Sequence, residues 1–391
     1  MKIDKIIIKI EKMKKKIYRR KIIFCPTSNF DLGNSGDSVN DRKLFDCIPD
    51  HFKRIALFPK YNEHNKIMLK SYFTFFFQYL WEILNSDNIF ITRGSKRAIL
   101  PILTKKILRN KVILRLGCTP LMFVERMALE KNPQYKSEIN ILKKSLIKIE
   151  PYLEKFALKH ADKILVENAK AKKIIQKFGA KPTKIQIIPY YIQDYFLECK
   201  NPQFNDRNDY FILCYTGRFK NYDILIPILK AVETLIKENY QVKLILLGEG
   251  PKLSLIKRIV NEIKLNDSIE FLGAIPHIEV SKIIDKSHCL ILPMLNKICP
   301  STIPIKILEG IMKGKIIITT NSGNVSSLFL DHTNLILDTL DNDSIVKKLK
   351  EIMKNFNKYK LLAKDLRNFH LKRRTKGNYE KKLKKVIYEL Y

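Results

Sequence analysis

The stretch CPSTIPIKILEGIMKGKIIITTNSGN, residues 299–324, holds the elements that best indicate the fold of this chain. Its middle part predicts a short helix ending at a glycine, on which Lys306 and Glu309 lie three positions apart and share a face. The apolar, β-branched run 316–320 then predicts a buried parallel strand. A polar loop containing Gly323 follows the carboxyl end of that strand.

This arrangement is suited to binding an anionic ligand. In open α/β sheets, ligands lie in the crevice beyond the carboxyl ends of the strands. The backbone amides at the start of a helix there can face a phosphate, and a carboxylate such as Glu309 can hold a pair of sugar hydroxyls. The residues alone leave a second interpretation open, in which Lys306 and Glu309 form a surface ion pair.

The composition indicates a globular protein with an unusual charge. The 391 residues suggest two domains, and a hydrophobic content of 46% is sufficient for full cores. Lys and Arg number 73 against 39 acidic residues, a formal net charge of +34. Such an excess favours an anionic partner, either nucleic acid, an acidic membrane surface or phosphorylated substrates. A general compositional bias toward lysine is the alternative, because the bases are dispersed along the chain.

The cysteine pattern and the apolar runs indicate the cellular compartment of the protein. None of the 7 cysteines forms a C-x-x-C pair, which argues against a zinc site or a disulfide framework and fits a reducing cytoplasm. The N-terminal apolar residues are interrupted by charges, so we expect no signal peptide. No uncharged run reaches the roughly 18 residues of a spanning helix. We expect a soluble or peripheral protein.

The first segments of the chain each allow more than one structural interpretation. Residues 1–20 form a basic leader, which is either a lipid-binding amphipathic helix or a solvated start. The run 21–26 predicts a strand, and a loop with Gly33 and Gly36 leads into a helix, as in the phosphate-binding opening of a Rossmann-like unit. The spacing is not G-x-G-x-x-G. The aromatic stretch 66–84 is either a buried helix or a surface that dips into a bilayer.

Short strands and helices alternate through both halves of the chain, which predicts an α/β protein with two doubly wound, Rossmann-like domains. A polar segment containing Pro202 marks the boundary between them. We expect an N-terminal domain over 1–195, a linker over 196–209, a C-terminal domain over 210–365, and a last helix within 366–391 that packs back on the N-terminal domain.

Six segments occur in a distinctive order. They are HADKILVEN (160–168), KIQIIP (184–189), YTGRF (215–219), LLGEGP (246–251), FLGAIPHIEVSKIIDKSHCLILP (271–293) and PIKILEGIMKGKIII (304–318). Together they resemble the glycosyl transferases group 1 family (family 4), retaining enzymes of the GT-B fold. The resemblance implies two Rossmann-like domains facing a central cleft. The N-terminal domain of such an enzyme binds the acceptor, and the C-terminal domain binds a nucleotide-diphosphate sugar.

The resemblance assigns roles to residues at the strand ends of the C-terminal domain. Arg218 and Lys220, which follow Gly217, become the clamp for the departing diphosphate, although the family's lysine usually lies a few positions further on. Gly250 is expected to let the backbone approach the ligand closely. The backbone from Ile275 to His277 is expected to flank the nucleotide base.

The opening stretch supplies the remaining donor contacts. By resemblance, Glu309 is the second carboxylate of an E-x7-E motif and binds the ribose hydroxyls. The first carboxylate falls on Ser301, so this chain departs from the motif, and a serine hydroxyl takes that place near the donor sugar. Thr302 and Ile303 are expected to offer loop amides, and Lys306 is expected to contact the donor as well.

The N-terminal domain departs from the family in one further respect. The histidine that the family often places after its fourth strand has no counterpart here, and Arg115 and Thr119 are the polar groups nearby. No His/Cys cluster offers a metal site, so we expect no metal and no cofactor.

These observations predict a metal-independent retaining glycosyltransferase that moves a hexose to a hydroxyl acceptor. The acceptor is expected to be a lipid-linked glycan or another precursor of a surface polysaccharide or glycoprotein glycan. The enzyme is expected to be cytoplasmic and peripheral on the cytoplasmic face of an anionic membrane, and to bind no nucleic acid. The alternatives are a GT-B sugar-nucleotide epimerase, a basic nucleic-acid-binding protein, and a catalytically silent scaffold.

Overall fold

The computed structural model describes most of the chain. The described residues are 21–26, 36–57, 69–85, 87–117, 141–198, 210–219, 222–294, 300–329 and 335–390. They fall into two compact units, one of Met1–Tyr190 with Lys376–Tyr391 and the other of Tyr191–Thr375. The basic leader, Gly33, Thr119 and Lys220 lie outside the described residues.

The first unit contains a six-stranded sheet of order β2-β1-β3-β4-β5-β6, in which every described pairing is parallel. Its strands are β1 (Lys21–Cys25), β2 (Lys53–Ala56), β3 (Ile89–Arg93), β4 (Lys111–Arg115), β5 (Lys163–Val166) and β6 (Ile185–Ile187). Its helices are α1 (Gly36–Asp46), α2 (Leu69–Leu84), α3 (Ile99–Leu108), α4 (Ile141–His160) and α5 (Ala169–Lys177).

The central strands are apolar because both faces of a parallel sheet are covered. In β1, the residues from Ile22 to Cys25 are fully buried. In β3, the residues from Ile89 to Ile91 are fully buried as well. The sequence shows an uninterrupted apolar run in each of these two strands, β1 and β3.

The second unit contains a second six-stranded sheet, of order β12-β11-β10-β7-β8-β9, again parallel in every described pairing. Its strands are β7 (Phe211–Thr216), β8 (Val242–Leu247), β9 (Ile269–Gly273), β10 (Cys289–Ile291), β11 (Ile316–Thr320) and β12 (Ile336–Leu337). The helices are α6 (Leu225–Lys237), α7 (Leu253–Glu262), α8 (His277–Lys286), α9 (Ile305–Met312), α10 (Asn342–Lys354) and α11 (Phe356–Leu371).

The unit boundaries differ from those that the sequence suggested. Ile192 and Phe196 are fully buried in the core of the second unit, so that unit begins at Tyr191 rather than after a linker at 196–209. The helix α11 also belongs to the second unit. The following helix, α12 (Lys376–Tyr388), belongs to the first unit, in which its Tyr379, Leu383 and Ile387 are buried.

The fold class predicted from the sequence is confirmed. Both units are doubly wound α/β structures with a parallel sheet, and the alternation of apolar strands with helices is the feature that indicated this.

Candidate functional site

The strand order of the second sheet creates a place for a ligand. Since β7 lies between β8 and β10, the chain winds away from β7 in both directions, and the point between β7 and β10 is a topological switch point. The helix α9 reaches this point, because Lys306 Nζ donates to the Thr216 carbonyl at the end of β7 over 3.2 Å. Loops from opposite sides of the sheet therefore meet beyond these strands.

The loops after β7 and β8 pack backbone against backbone. Phe219 N donates to the Glu249 carbonyl at 2.9 Å, and Gly217 N donates to the Leu247 carbonyl at 2.9 Å. A Cβ atom on Gly250 would lie 2.5 Å from the carbonyl oxygen of Phe219, which is closer than such atoms can approach. The structure therefore requires glycine at 250 for packing of one loop on the other. Close approach of this glycine to a ligand stays a prediction.

Two cations were predicted after β7. The structure places Arg218 directly after that strand with an exposed side chain. Its predicted neighbour Lys220 lies outside the described residues. A guanidinium at the carboxyl edge of the sheet is accessible to a phosphate group, which its planar donors can bind in a bidentate way.

Glu309 is a buried carboxylate with a definite partner. It is 5% exposed, and its Oε1 lies 2.9 Å from His277 Nε2. Nδ1 of the same imidazole lies 2.6 Å from the Tyr195 hydroxyl. Since a carboxylate only accepts, the Nε2–H donates to Glu309, and in the neutral ring Nδ1 accepts from the tyrosine. The interpretation of Glu309 as half of a surface ion pair is therefore wrong.

Tyr195 was not foreseen as a site residue, because the sequence suggested that it closes the N-terminal domain. Burial, and after it the negative charge of Glu309, raises the pKa of Tyr195 to about 12, so this hydroxyl keeps its proton and can donate. Its carbonyl accepts from Ser281 Oγ at 2.6 Å, which ties it to α8. The ring of Phe196 lies 5.0 Å from that of His277. No local sequence signal links these residues.

Lys306 lies in an environment that disfavours its charge. Its ammonium bonds to the Thr216 carbonyl rather than to Glu309, and lies 5.0 Å from the centre of the Tyr215 ring. Burial lowers the pKa of Lys306 to about 8, and the negative charge of Glu309 opposes that effect. Within the described part of the chain Lys306 has no ion pair, so this cation at the switch point is available to an anionic ligand.

The residues before α9 lie close to this cluster in the chain. Ser301 is 1% exposed and Ile303 is also buried, while the Thr302 carbonyl accepts from Asn324 N at 3.0 Å. The loops before α9 and after β11 are thus connected. Contact of Ser301, Thr302 and Ile303 with a donor sugar stays a prediction, as does contact of Ile275, which packs on the core of this unit.

The glycines predicted for a phosphate-binding loop belong to the first unit. Gly36 is the first residue of α1 in the first unit, and Gly33 is not described. Arg115, near the position of the missing histidine, is 1% exposed and donates from Nη1 to the Ile188 carbonyl at 3.3 Å. Its guanidinium lies 4.6 Å from the centre of the Tyr190 ring. These contacts connect the end of β4 to the chain after β6.

The described residues contain no group of three His, Cys, Asp or Glu side chains able to hold a metal ion. The sequence contains one Asp-x-Asp, at Asp341 and Asp343. Asp341 caps the start of α10 by accepting from Ser344 N at 2.8 Å, so a helix-capping role accounts for it. Across the described part of the chain, no helix is long and apolar enough to cross a membrane.

Comparison with known proteins finds a family match in the second half of the chain. Residues 199–369 match the family described as Glycosyl transferases group 1. Over 200 residues the chain is 24% identical to a subunit of the phosphatidylinositol N-acetylglucosaminyltransferase of Arabidopsis thaliana, an alignment that covers 50% of this chain and 42% of that protein.

Solved structures agree on the fold. The sucrose-phosphate synthase from Thermosynechococcus elongatus superposes with a TM-score of 0.68 at 14% identity, over 95% of this chain and 99% of that one. HepE from Anabaena, in complex with UDP and glucose, also gives a TM-score of 0.68, at 12% identity over 94% and 99% of the two chains. Residues 199–369 are thus similar in sequence to the group 1 glycosyltransferases, and the chain as a whole has a two-domain α/β GT-B fold.

Proposed function

We propose that this protein is a retaining, metal-independent glycosyltransferase that moves a hexose from a nucleotide-diphosphate sugar to a hydroxyl acceptor. The observation that carries the proposal is the buried carboxylate of Glu309 at the switch point, with His277 on its Oε1 at 2.9 Å. A buried carboxylate that points toward strand-end loops is costly unless it has donors to accept from. The vicinal hydroxyls of a ribose are two such donors.

The cations beside this carboxylate suit the diphosphate of the same ligand. Lys306 lies at the end of β7, and Arg218 directly follows that strand. As the bond between the sugar and the diphosphate breaks, negative charge develops on the leaving oxygen, and fixed cations stabilise it without reorganising. The first amides of α9 add a partial positive charge. In this role the side chains replace the divalent ion that other phosphate chemistry requires.

We propose that the transfer retains the anomeric configuration of the sugar, because the sequence resembles a family of retaining enzymes. Ser301 stands where the E-x7-E motif has its first carboxylate, so its hydroxyl is the proposed contact to the donor sugar. The first unit is proposed to bind the acceptor. Gly33, Gly36 and Lys220 keep their predicted donor or loop roles as proposals.

The acceptor is proposed to be a lipid-linked glycan on the cytoplasmic face of a membrane, a precursor of a surface polysaccharide or glycoprotein glycan. The Arabidopsis relative is named for transfer to phosphatidylinositol, which is a lipid acceptor. Sucrose-phosphate synthase, by contrast, is named for a soluble sugar phosphate, so acceptor assays should include both classes. The anionic membrane and the absence of nucleic-acid binding belong to the same proposal.

Isothermal titration with a panel of nucleoside diphosphates and their hexose derivatives tests the donor site. We expect one nucleotide to bind the wild-type protein and to bind Glu309→Ala more weakly. The control is Glu279→Ala, which removes a half-buried carboxylate of α8 that is paired with Lys282. Hydrolysis of the bound sugar nucleotide, followed by NMR of the anomeric proton, tests retention. Binding without any turnover would support the silent scaffold, and no binding in the panel would reject the proposed function.

A further inference from the structure

The helix α2 is apolar on two opposite faces. On its inner face, Phe75, Tyr79 and Ile83 pack in a core with Phe90 of β3. Helices that are apolar all round are normally buried all round. The opposite face of α2 is open, so packing within the unit explains only half of its apolar side chains.

The open side chains of α2 continue onto α3, which packs against it. The large apolar side chains exposed on these two helices, here named the aromatic face, are Phe73, Phe76, Phe77, Trp81, Leu84, Leu103 and Ile107. Phe77 and Trp81 are each 65% exposed, and Ile107 is 84% exposed. A set of this size on two neighbouring helices exceeds the scattered apolar residues of an ordinary surface and marks an interaction site.

The aromatic face carries no available negative charge. Glu82, the acidic residue of α2, is buried and paired with Lys21 at 3.0 Å, and α3 contains no acidic residue. Among the described residues of these two helices, a partner that inserts here meets apolar and neutral groups, with Lys105 and Lys106 at the end of α3.

Those cations form a cluster at the end of α3. Lys105 and Lys106 lie in its last turn, and Lys159 and Lys184 join them around His160. Lys105 Nζ donates to the His160 carbonyl at 2.6 Å, and Lys184 Nζ donates to the Ala161 carbonyl at 2.7 Å, so these two lysines lie close together. Lys105 also contacts Asp162 at 3.1 Å. This group is named the lysine cluster, and in the chain its Lys106 directly precedes Ile107 of the aromatic face.

The charge and the apolar character of this surface distinguish between three possible partners: a second copy of the chain, a nucleic acid and a lipid bilayer. A second copy of the chain would bring a second lysine cluster, on a molecule whose formal net charge is already +34, against the first. A nucleic acid would suit the lysines but leave Leu84, Leu103 and Ile107 without an apolar partner. The interface of an anionic bilayer provides both an apolar layer, in which aromatic rings settle, and negative headgroups beside it.

We propose that the aromatic face inserts into the interface of an anionic lipid bilayer, with the lysine cluster against the headgroups. This surface would hold the first unit at the membrane from which a lipid-linked acceptor is taken. The docking goes beyond the proposed sugar transfer and does not require it, so a failure of either is recognised separately.

The chain contains 1 tryptophan, Trp81, and it lies in the aromatic face. Its fluorescence in the full-length protein is therefore a direct probe. Vesicles of phosphatidylcholine with about 30% phosphatidylglycerol should shift the emission to the blue, and brominated acyl chains should quench it. Part of the binding should persist at about 0.5 M NaCl, because salt screens the lysines but not the apolar insertion.

Variants separate insertion from electrostatic attraction. Phe77→Ser combined with Ile107→Ser should lower vesicle partitioning at least about tenfold while leaving binding of the nucleotide donor unchanged. The matched control is Leu361→Ser, since Leu361 is 62% exposed on α11 of the second unit. Its partitioning should equal that of the wild-type protein.

Three outcomes would overturn the proposal. The first is an emission spectrum that vesicles neither shift nor quench. The second is a blue shift without lipid that grows with protein concentration, which would assign the face to a second copy. The third is a blue-shifted emission at all concentrations that deletion of residues 1–20 abolishes, which would assign the face to the basic leader.

Discussion

The carboxylate of Glu309 and the imidazole of His277 are 2.9 Å apart, although 32 positions separate them in the chain. The resemblance to the family suggested that His277 flanks the nucleotide base through its backbone. The structure shows that its side chain also contacts the carboxylate proposed to bind ribose, through Nε2 and Glu309 Oε1. The hydroxyl of Tyr195 hydrogen-bonds to the other ring nitrogen, Nδ1. A donor must either share Glu309 with this histidine or displace it.

Replacing Glu309 with alanine should weaken binding of the nucleotide sugar by about 1–3 kcal/mol, the range for hydrogen bonds to charged groups. Titration calorimetry measures the change, and circular dichroism confirms that the variant is folded. Glu279→Ala, which removes a half-buried carboxylate of α8 paired with Lys282, should leave the affinity unchanged. Equal donor affinities for wild type and Glu309→Ala would remove Glu309 from the site.

Lys306 should make the affinity for a nucleoside diphosphate depend on pH. Because burial lowers its pKa to about 8, the ammonium loses its charge as the pH rises through that value. The affinity should therefore fall above about pH 8 in the wild-type protein. In Lys306→Met the affinity should be lower throughout and should lack this decline, and a parallel decline in both proteins would contradict the role of Lys306.

Lys306→Met should also change the pH dependence of stability. The pKa is about 8 in the folded chain and 10.5 ordinarily, so the unfolded chain binds more protons between these values. The contribution of Lys306 to the free energy of unfolding therefore rises with pH over that window. The variant should gain most stability below pH 8, and the gain should shrink toward pH 10.5. Urea unfolding at about pH 7 and about pH 9.5 measures it.

Gly250→Ala should destabilise the second unit by about 1–3 kcal/mol, the usual range for overpacking, because the new Cβ would lie 2.5 Å from the Phe219 carbonyl oxygen. Gly377 of α12 is the matched control, since a Cβ there has nothing within 4 Å. Gly377→Ala should stabilise the helix by about 0.5–1 kcal/mol. Denaturant unfolding compares the two, and a stable Gly250→Ala would show that the loops can move apart.

Sugar transfer should continue in the presence of EDTA. Arg218 and Lys306 are proposed to supply the positive charge that a metal supplies elsewhere. Initial rates measured with the chelator, and again after adding Mg²⁺ or Mn²⁺, should agree within error. Activity that returns only with added metal would contradict this mechanism.

The sequence by itself determined the two α/β units and the positions of most strands. Runs such as 211–216 and 316–320 are apolar throughout because both faces of a parallel strand are covered, and that requirement is visible locally. The lysine, carboxylate and glycines of the candidate site were likewise named from short motifs.

Only the tertiary structure showed which side chains of the candidate site contact one another. Tyr195 meets His277, and Lys306 meets Thr216, through loops that converge only after the sheet has formed. Periodicity showed that α2 is apolar but not which of its faces would be covered, because that depends on the elements packed against it. The sequence led us to expect a last helix that packs on the N-terminal domain. Which side chains of α12 are buried there depends on the apolar surface that remains free when the chain returns.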